Sequence, residues 1–337
     1  MLKVLIIGCG NIAGGFDADS SAGATARTHA GAYAAHGQFS ISACVEPDND
    51  KRAAFMARWG ISDGYASVKQ LLATHDRAIK SEGFDVISIC SPTASHHDDV
   101  LHALDLEPKL IFCEKPVCNH LTETENLVQR CIDQGVLLAV NHNRRWDPEV
   151  TRLRDQLQSG EWGVIRSVTG IYSKGVLNNG SHMIDLLHDL LGPLTLVDCG
   201  TPCIDYSESD PSVPANLVSA SGVRISLSCG DARDYSIFEL QLVTQRGVIA
   251  MEDGGLRWRT RLSAPSAHFA GYKTLEEGRV GGGKYLETMT NAVANIHRAV
   301  TAGEALASTG ESALKAQRIC QQILNLSTQV THVGDAT

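Results

Sequence analysis

Several groups of residues in this chain have types and spacing that could do chemistry. Gly8-Cys9-Gly10-Asn11-Ile12-Ala13 follows the apolar run 2–7 directly and reads as G-x-G-x-x-A. Glycine there permits a tight turn and lets the backbone approach a pyrophosphate, and the small last residue allows close helix–strand packing. The amides of the following helix would then meet the phosphate charge. The alternative is a plain tight turn between strand and helix. Glu46 ends a second apolar run, 41–45, where a carboxylate can accept adenosine ribose hydroxyls and would repel a 2′-phosphate. NAD is therefore expected as cofactor, with NADP disfavoured; Lys51 and Arg52, opening the next helix, are the cations that a 2′-phosphate would use. Glu46 lies further beyond Gly10 than the roughly 20 residues of the usual fingerprint. The excess falls in 14–28, a Gly/Ala/Ser/Asp-rich segment that reads as inserted, either a lid over the cofactor or a surface loop.

A second set of polar residues sits beside predicted strands and helices. Lys115 follows the run 110–113 and precedes Pro116; an ammonium at a strand mouth is costly unless solvated or paired, so a solvated surface lysine is the alternative. His182 stands at the start of a helix over 181–191, capped by Ser181. Met183, Ile184, Leu187, Leu190 and Leu191 supply its buried side. His182, Asp185 and either His188 or Asp189 fall on another side, at i, i+3 and i+6 or i+7. A histidine oriented by a carboxylate suits a general base; a capping-turn histidine beside an incidental aspartate is the alternative. His182, Asp185 and Asp189 have no further ligand cluster with them, so no metal is expected. His96-His97-Asp98-Asp99 reads as a helix first turn, with Asp98 and Asp99 complementing the dipole.

The elements that must position these residues fall into two halves, 1–142 and 143–337. In the first, short apolar runs at 2–7, 41–45, 86–90, 110–113 and 136–140 alternate with helical segments at 29–36, 51–59, 68–73, 97–106 and 122–134. That alternation predicts a doubly wound parallel sheet, a Rossmann-type α/β domain. In the second, a helix at 149–158 precedes strand-like runs at 164–172, 194–200, 217–220, 223–229, 237–243 and 248–251. Turn residues join most of them, which predicts a large, mostly antiparallel open sheet in an α/β domain. Helices are expected at 284–302 and 311–327, and loops at 202–214 and 263–283.

Composition removes other classes. The 337 residues carry a net charge of −9, and no Lys/Arg-rich run suggests a nucleic-acid surface. No apolar stretch reaches about 18 residues, so no membrane span is expected, and residues 1–8 do not read as a signal peptide. The ten cysteines lack metal or redox spacing, which suits reduced thiols in a cytoplasmic protein.

At Glu114-Lys115-Pro116 the chain resembles the Gfo/Idh/MocA oxidoreductases, the glucose–fructose oxidoreductase and inositol dehydrogenase-like family. The glycine loop, Cys90-Ser91-Pro92-Thr93-Ala94-Ser95-His96, Glu114-Lys115-Pro116, 141–148 and Gly180-Ser181-His182-Met183-Ile184-Asp185 occur in the matching order. The resemblance implies a Rossmann domain followed by a domain whose sheet carries the substrate and often an oligomer interface, hence a homodimer or homotetramer. It implies that Lys115 and His182 flank the reacting carbon, and that Ser91, Pro92, Thr93, His96 and Glu114 line the nicotinamide half of the cofactor. Lys115 would polarise the substrate oxygen. Many members carry Asp four residues before the histidine; Asn178 stands there here and cannot act as a carboxylate. Arg145 joins the cofactor-side residues, with a substrate anion or a nearby acid as its other partners. The implied activity is NAD-dependent hydride transfer at a secondary alcohol or ketone of a sugar, cyclitol or sugar nucleotide. An NAD-dependent glycoside hydrolase and a non-catalytic NAD-binding regulator are the alternatives within this fold.

Overall fold

The computed structural model describes residues 1–19, 24–75 and 83–334. It divides into two compact units. One comprises Met1–Trp146 with Leu286–Leu314, the other Asp147–Tyr285 with the chain from Lys315 onward.

The first unit is a doubly wound sheet of β1 (Leu2–Ile7), β2 (Phe39–Val45), β3 (Asp63–Tyr65), β4 (Val86–Ile89), β5 (Leu110–Cys113) and β6 (Leu137–Val140). All neighbours are parallel, in the order β3-β2-β1-β4-β5-β6. Every residue of β4 and β5 is buried, as strands covered on both faces must be. On one face Leu5, Ile7, Ile87 and Ile111 pack with Leu71, Val100 and Leu127 of α3 (Val68–His75), α4 (Thr93–Leu104) and α5 (Leu121–Asp133). On the other, Val4, Ile6, Val86 and Phe112 pack with Tyr33 of α1 (His29–His36), Phe55 of α2 (Asn49–Trp59) and Ile296 of α8 (Thr288–Ala302). β3 has three residues and no apolar alternation, so periodicity misses it.

The first crossover is interrupted. The amide of His29 donates to the Ile12 carbonyl at 3.2 Å and that of Ala30 to Ala13 at 2.9 Å. The turn at 10–13 and α1 therefore continue one another's hydrogen bonding, with 14–28 inserted between them in sequence. Within that insertion 20–23 lie outside the described residues, so the choice between lid and surface loop falls partly beyond them.

A single boundary after residue 142 does not hold. The indole of Trp146 donates to Asn295 Oδ1 at 3.0 Å, as does the Ala307 amide, and Ser308 Oγ donates to the Val140 carbonyl at 2.7 Å. Residues 286–314 therefore belong with the first unit, because α8 completes one helical layer of its sheet. That helix begins at Thr288, after a 3-10 turn at Tyr285–Glu287, rather than at 284.

The second unit contains α6 (Pro148–Gln158), α7 (Ser181–Leu191) and the part of α9 (Gly310–Gly334) from Lys315 on. Its main sheet joins β7 (Ile165–Tyr172), β8 (Leu194–Cys199), β11 (Ala215–Ser219), β12 (Arg224–Cys229), β13 (Phe238–Thr244), β14 (Gly247–Glu252) and β15 (Arg257–Pro265), with β16 (Lys273–Leu275) and β17 (Arg279–Gly282) on β15. β7 and β12 pair parallel and the other neighbours antiparallel. Strict alternation of buried and half-buried residues along β14 shows one face turned to the core. Two expected loops contain strands: 202–214 holds the hairpin β9 (Cys203–Ser207) and β10 (Asp210–Ser212), and 263–283 holds β16, β17 and the end of β15. These edge strands are short and polar, so they carry no apolar period. All ten cysteines are free thiols. No helix of the described residues is long and apolar enough to cross a membrane.

Asn295 tests how the first unit holds its returning segment. Its side chain serves Trp146, Ala307 and the Ala305 carbonyl, and it is 5% exposed. Asn295→Ala leaves a buried indole N–H unpaired, at about 1–3 kcal/mol for the orphaned group, and removes the acceptor of the half-buried Ala307 amide. Chemical denaturation followed by tryptophan fluorescence should show a lower midpoint; an unchanged midpoint removes these bonds from the account.

Candidate active site

At the carboxyl ends of β1, β2 and β4 lies a cleft of about 900 Å³, and Gly8, Gly10, Asn11, Ile12, Glu46, Ser91 and Pro92 line it together. Gly8 has φ +88°, and a Cβ there would sit 2.5 Å from the Ser91 amide nitrogen. Only glycine fits. A Cβ on Gly10 would meet nothing within 4 Å, so the backbone faces open space at the loop's second glycine. An open cradle of bare backbone suits a pyrophosphate, and the cleft's size is that of a cofactor site.

Glu46 holds the loop from the β2 side. Its Oε2 accepts from the Cys9 amide at 3.0 Å and its Oε1 from Asp48 at 3.1 Å. A carboxylate has about four acceptor positions, so these bonds leave capacity for ribose hydroxyls. Of the two cations considered for a 2′-phosphate, Lys51 lines the cleft; Arg52 donates to the Glu46 carbonyl and to Asn49 Oδ1.

On the β4 side, Ser91 Oγ donates to Asp99 Oδ2 at 2.6 Å, and both residues line the cleft. Burial pushes the Asp99 carboxyl up, against the hydrogen bond from Ser91 that lowers it. α4 starts at Thr93, earlier than the expected 97, so Asp98 and Asp99 fall in its second turn and do not cap its dipole. His96 is buried, its Nδ1 2.9 Å from the Pro116 carbonyl and its Nε2 2.8 Å from that of Ser91, which braces the two strand-end loops against each other. Thr93 opens α4 and is not among the residues lining the cleft.

Glu114 lies below this surface. Its Oε1 contacts His29 Nε2 at 2.9 Å and accepts from Asn141 Nδ2 at 2.7 Å. His29 Nδ1 stands 3.2 Å from Ser88 Oγ, which also meets Tyr33 Oη at 2.8 Å. Burial works to raise the Glu114 carboxyl, but the His29 and Asn141 bonds and the Lys115 charge outweigh it and hold it below the usual range. Lys115 follows directly and is half-buried; Arg145 Nη1 reaches the Ala307 carbonyl at 3.4 Å.

Asn178, His182 and Asp185 belong to the second unit. A π turn over Gly175–Gly180 leads into α7. Asp210 on β10 accepts from the Leu177 amide at 2.7 Å and the Asn178 amide at 2.9 Å, and Ser212 Oγ accepts from Gly175 at 2.9 Å. Ser181 is no N-cap: the helix is already running, and its hydroxyl donates back to the Leu177 carbonyl at 2.6 Å. α7 does not divide into a buried and a polar side, since every residue from Ser181 to Leu187 is buried, His182 and Asp185 included. Asp189 pairs with Arg154 at 3.3 Å. Arg257 and Arg259, spaced along β15, both pair with Glu252, and Arg233 pairs with Asp231. Among the described residues no three His, Cys, Asp or Glu side chains group as a metal site.

Residues 2–142 match the model of an oxidoreductase family with an NAD-binding Rossmann fold, GFO_IDH_MocA. The match spans the parallel-sheet part of the chain and less than half of its length. The chain is 32% identical over 119 residues to "Uncharacterized oxidoreductase YrbE" of Bacillus subtilis (strain 168), spanning 35% of this chain and about a third, 34%, of that protein. It is 24% identical over 273 residues to D-glucoside 3-dehydrogenase of Escherichia coli (strain K12), spanning 76% of this chain and 69% of that one. Levoglucosan dehydrogenase in complex with NADH shares the fold, with TM-score 0.79 at 16% identity over 98% of this chain and 97% of that chain.

Among the cleft residues that sequence reasoning missed are Phe16, Ser67, Lys69, Asp98, Asp99 and His102. Ser67 and Lys69 follow the short β3, which carried no signal; Phe16 sits in the insertion.

The lowered Glu114 carboxyl makes stability depend on pH. A carboxyl whose folded pKa lies below its unfolded value stabilises the fold above the unfolded value, and the contribution is lost as pH falls through the folded one. Glu114→Gln keeps the shape and removes the titration. The parent should therefore lose stability more steeply than Glu114→Gln as pH drops below the ordinary glutamate range. Parallel acid limbs in urea titrations of the two proteins would contradict this.

Proposed function

We propose that this protein is an NAD-dependent dehydrogenase acting on a secondary alcohol or ketone of a sugar, cyclitol or sugar nucleotide. The observation that carries the reading is the Gly8–Ser91 close approach opening onto a cleft that Glu46 also lines. The glycine loop, Ser91 and Pro92 would hold the cofactor, with Glu46 on the adenosine ribose. When bound, nicotinamide supplies the hydride acceptor that oxidation of an alcohol carbon requires. The chain's own residues manage the proton. Lys115 polarises the substrate oxygen and stabilises a developing alkoxide. His182, beside Asp185 on α7, takes the hydroxyl proton as general base, and Asn178 hydrogen-bonds a substrate hydroxyl. The similarity to D-glucoside 3-dehydrogenase supports a carbohydrate substrate. Ten cysteines outside any disulfide suit a reducing, cytoplasmic setting. We also infer a homodimer or homotetramer, which light scattering at micromolar concentration tests; a monomer there overturns it.

A panel of sugars, cyclitols and nucleotide sugars, followed by NADH absorbance, tests the activity. Net NADH accumulation supports a dehydrogenase. Turnover without it marks a hydrolase using NAD transiently, and NAD binding with no turnover on any substrate marks a regulator.

Cofactor choice is tested at Glu46. NAD should bind more tightly than NADP, and Glu46→Ser should narrow the gap, because the carboxylate that repels a 2′-phosphate is gone. Equal or tighter binding of NADP by the parent would sink the assignment and direct attention to Lys51.

Lys115→Met keeps the aliphatic stem and removes the charge. Turnover should fall by roughly 10²–10⁴, the range for a positioned acid–base or oxyanion group. NAD affinity, titrated by fluorescence, should change far less because the glycine loop is untouched. Turnover within a few-fold of the parent demotes Lys115 to a surface residue.

A further inference from the structure

The insertion that splits the first helix presents one aromatic ring to the cleft. Phe16, in the 3-10 turn Gly15–Asp17, is 54% exposed and lines the same cleft as the glycine loop, Glu46 and Lys51. A single exposed aromatic needs no explanation by itself. This one is held in place by an unusual amount of structure. Next to it Asp17 is 4% exposed, and its carboxylate accepts from the Arg27 amide, the Thr28 amide at 2.9 Å and Thr28 Oγ1 at 2.6 Å. The Phe16 amide donates to the Asn11 carbonyl at 3.0 Å, and the Arg27 guanidinium donates to the Phe16 carbonyl. From α2, Arg58 donates to the Asp17 carbonyl at 3.0 Å. Gly14 is pressed so close to the same helix that a Cβ would fall 2.4 Å from Trp59 Nε1. The backbone of the turn is thus pegged by a buried carboxylate and clamped to α2, while the ring is left out of the core. Phe16 shares its cleft with Glu46 and Lys51, which puts the ring on the adenosine side of the glycine loop.

We propose that Phe16 is a cofactor-contacting residue whose ring covers the pyrophosphate and adenosine-ribose half of bound NAD. The proposal rests on the NAD reading above. The ring loses exposed apolar area against the dinucleotide and keeps water from the phosphate-binding amides.

NADH and ADP-ribose, which lacks nicotinamide, are titrated into the parent, Phe16→Ala and Phe16→Tyr, by NADH fluorescence and by calorimetry. Phe16→Ala should weaken both ligands by a common factor of about ten, the size expected for losing most of one aromatic contact. Phe16→Tyr keeps the ring face and should bind within about twofold of the parent. The ligand-free melting temperature of all three should coincide, since the ring is half exposed. Parental affinity in Phe16→Ala overturns the proposal. So does a loss for NADH with none for ADP-ribose, which puts the ring on the other half, or a loss matched by a lower ligand-free melting temperature, which makes its role structural. If the parent binds neither ligand, the NAD reading fails and this proposal fails with it.

Discussion

The first unit is organised around a half-buried carboxylate. Glu114 sits half-buried at the end of β5, and its carboxylate is answered by His29 from α1 and Asn141 from the end of β6. An ionised group in that position is tolerable only while its partners stay in place, and losing one of them leaves an uncompensated charge. The requirement fixes more than Glu114. Ser88 and Tyr33 extend the chain of contacts to β4 and the middle of α1, so the mouths of three strands and one helix are tied to a common point. Lys115 and Pro116 emerge from that point, and His96 then links the Pro116 carbonyl to that of Ser91. The network ties the cleft's β4 side to β5 and α1.

Backbone bonds carry the first helix across its interruption. Residues 14–28 separate the glycine turn from α1, yet His29 and Ala30 donate to Ile12 and Ala13 as residues four positions on would in an unbroken helix. His29 is thereby held at the base of the helix and facing Glu114. Thr28 completes the start, its hydroxyl accepting from Gly31 while it donates to Asp17. The insertion is not hung from the fold at two loose ends; it is pinned at both.

In the second unit the same device appears with different parts. The turn before α7 departs from regular α-helical bonding, and its free amides at Gly175, Leu177 and Asn178 are taken up by Ser212 and Asp210 of the β9–β10 hairpin. A two-stranded ribbon off the main sheet thus sets where Asn178 lies and where α7 begins, and with it His182.

Sequence alone determined the features that depend on local pattern. Continuous apolar runs announced strands β1, β4 and β5, which are buried on both faces. G-x-G-x-x-A after the first run marked the strand mouth where Gly8, Gly10, Glu46, Ser91 and Pro92 gather. The Glu-Lys-Pro and Ser-His-Met-Ile-Asp motifs carried the resemblance to the Gfo/Idh/MocA oxidoreductases. Tertiary structure decided whatever depends on partners distant in sequence. Asp210 reads as one polar residue in a polar stretch until its hairpin folds against the π turn. Phe16 reads as one aromatic in a glycine-rich insertion until Asp17 is buried beneath it. Asn295 and α8 read as part of the second half until Trp146 meets them in the first unit. Periodicity records which face of an element is apolar, and it holds no information about which remote donor will satisfy a buried acceptor. That pairing is made only when the chain closes on itself.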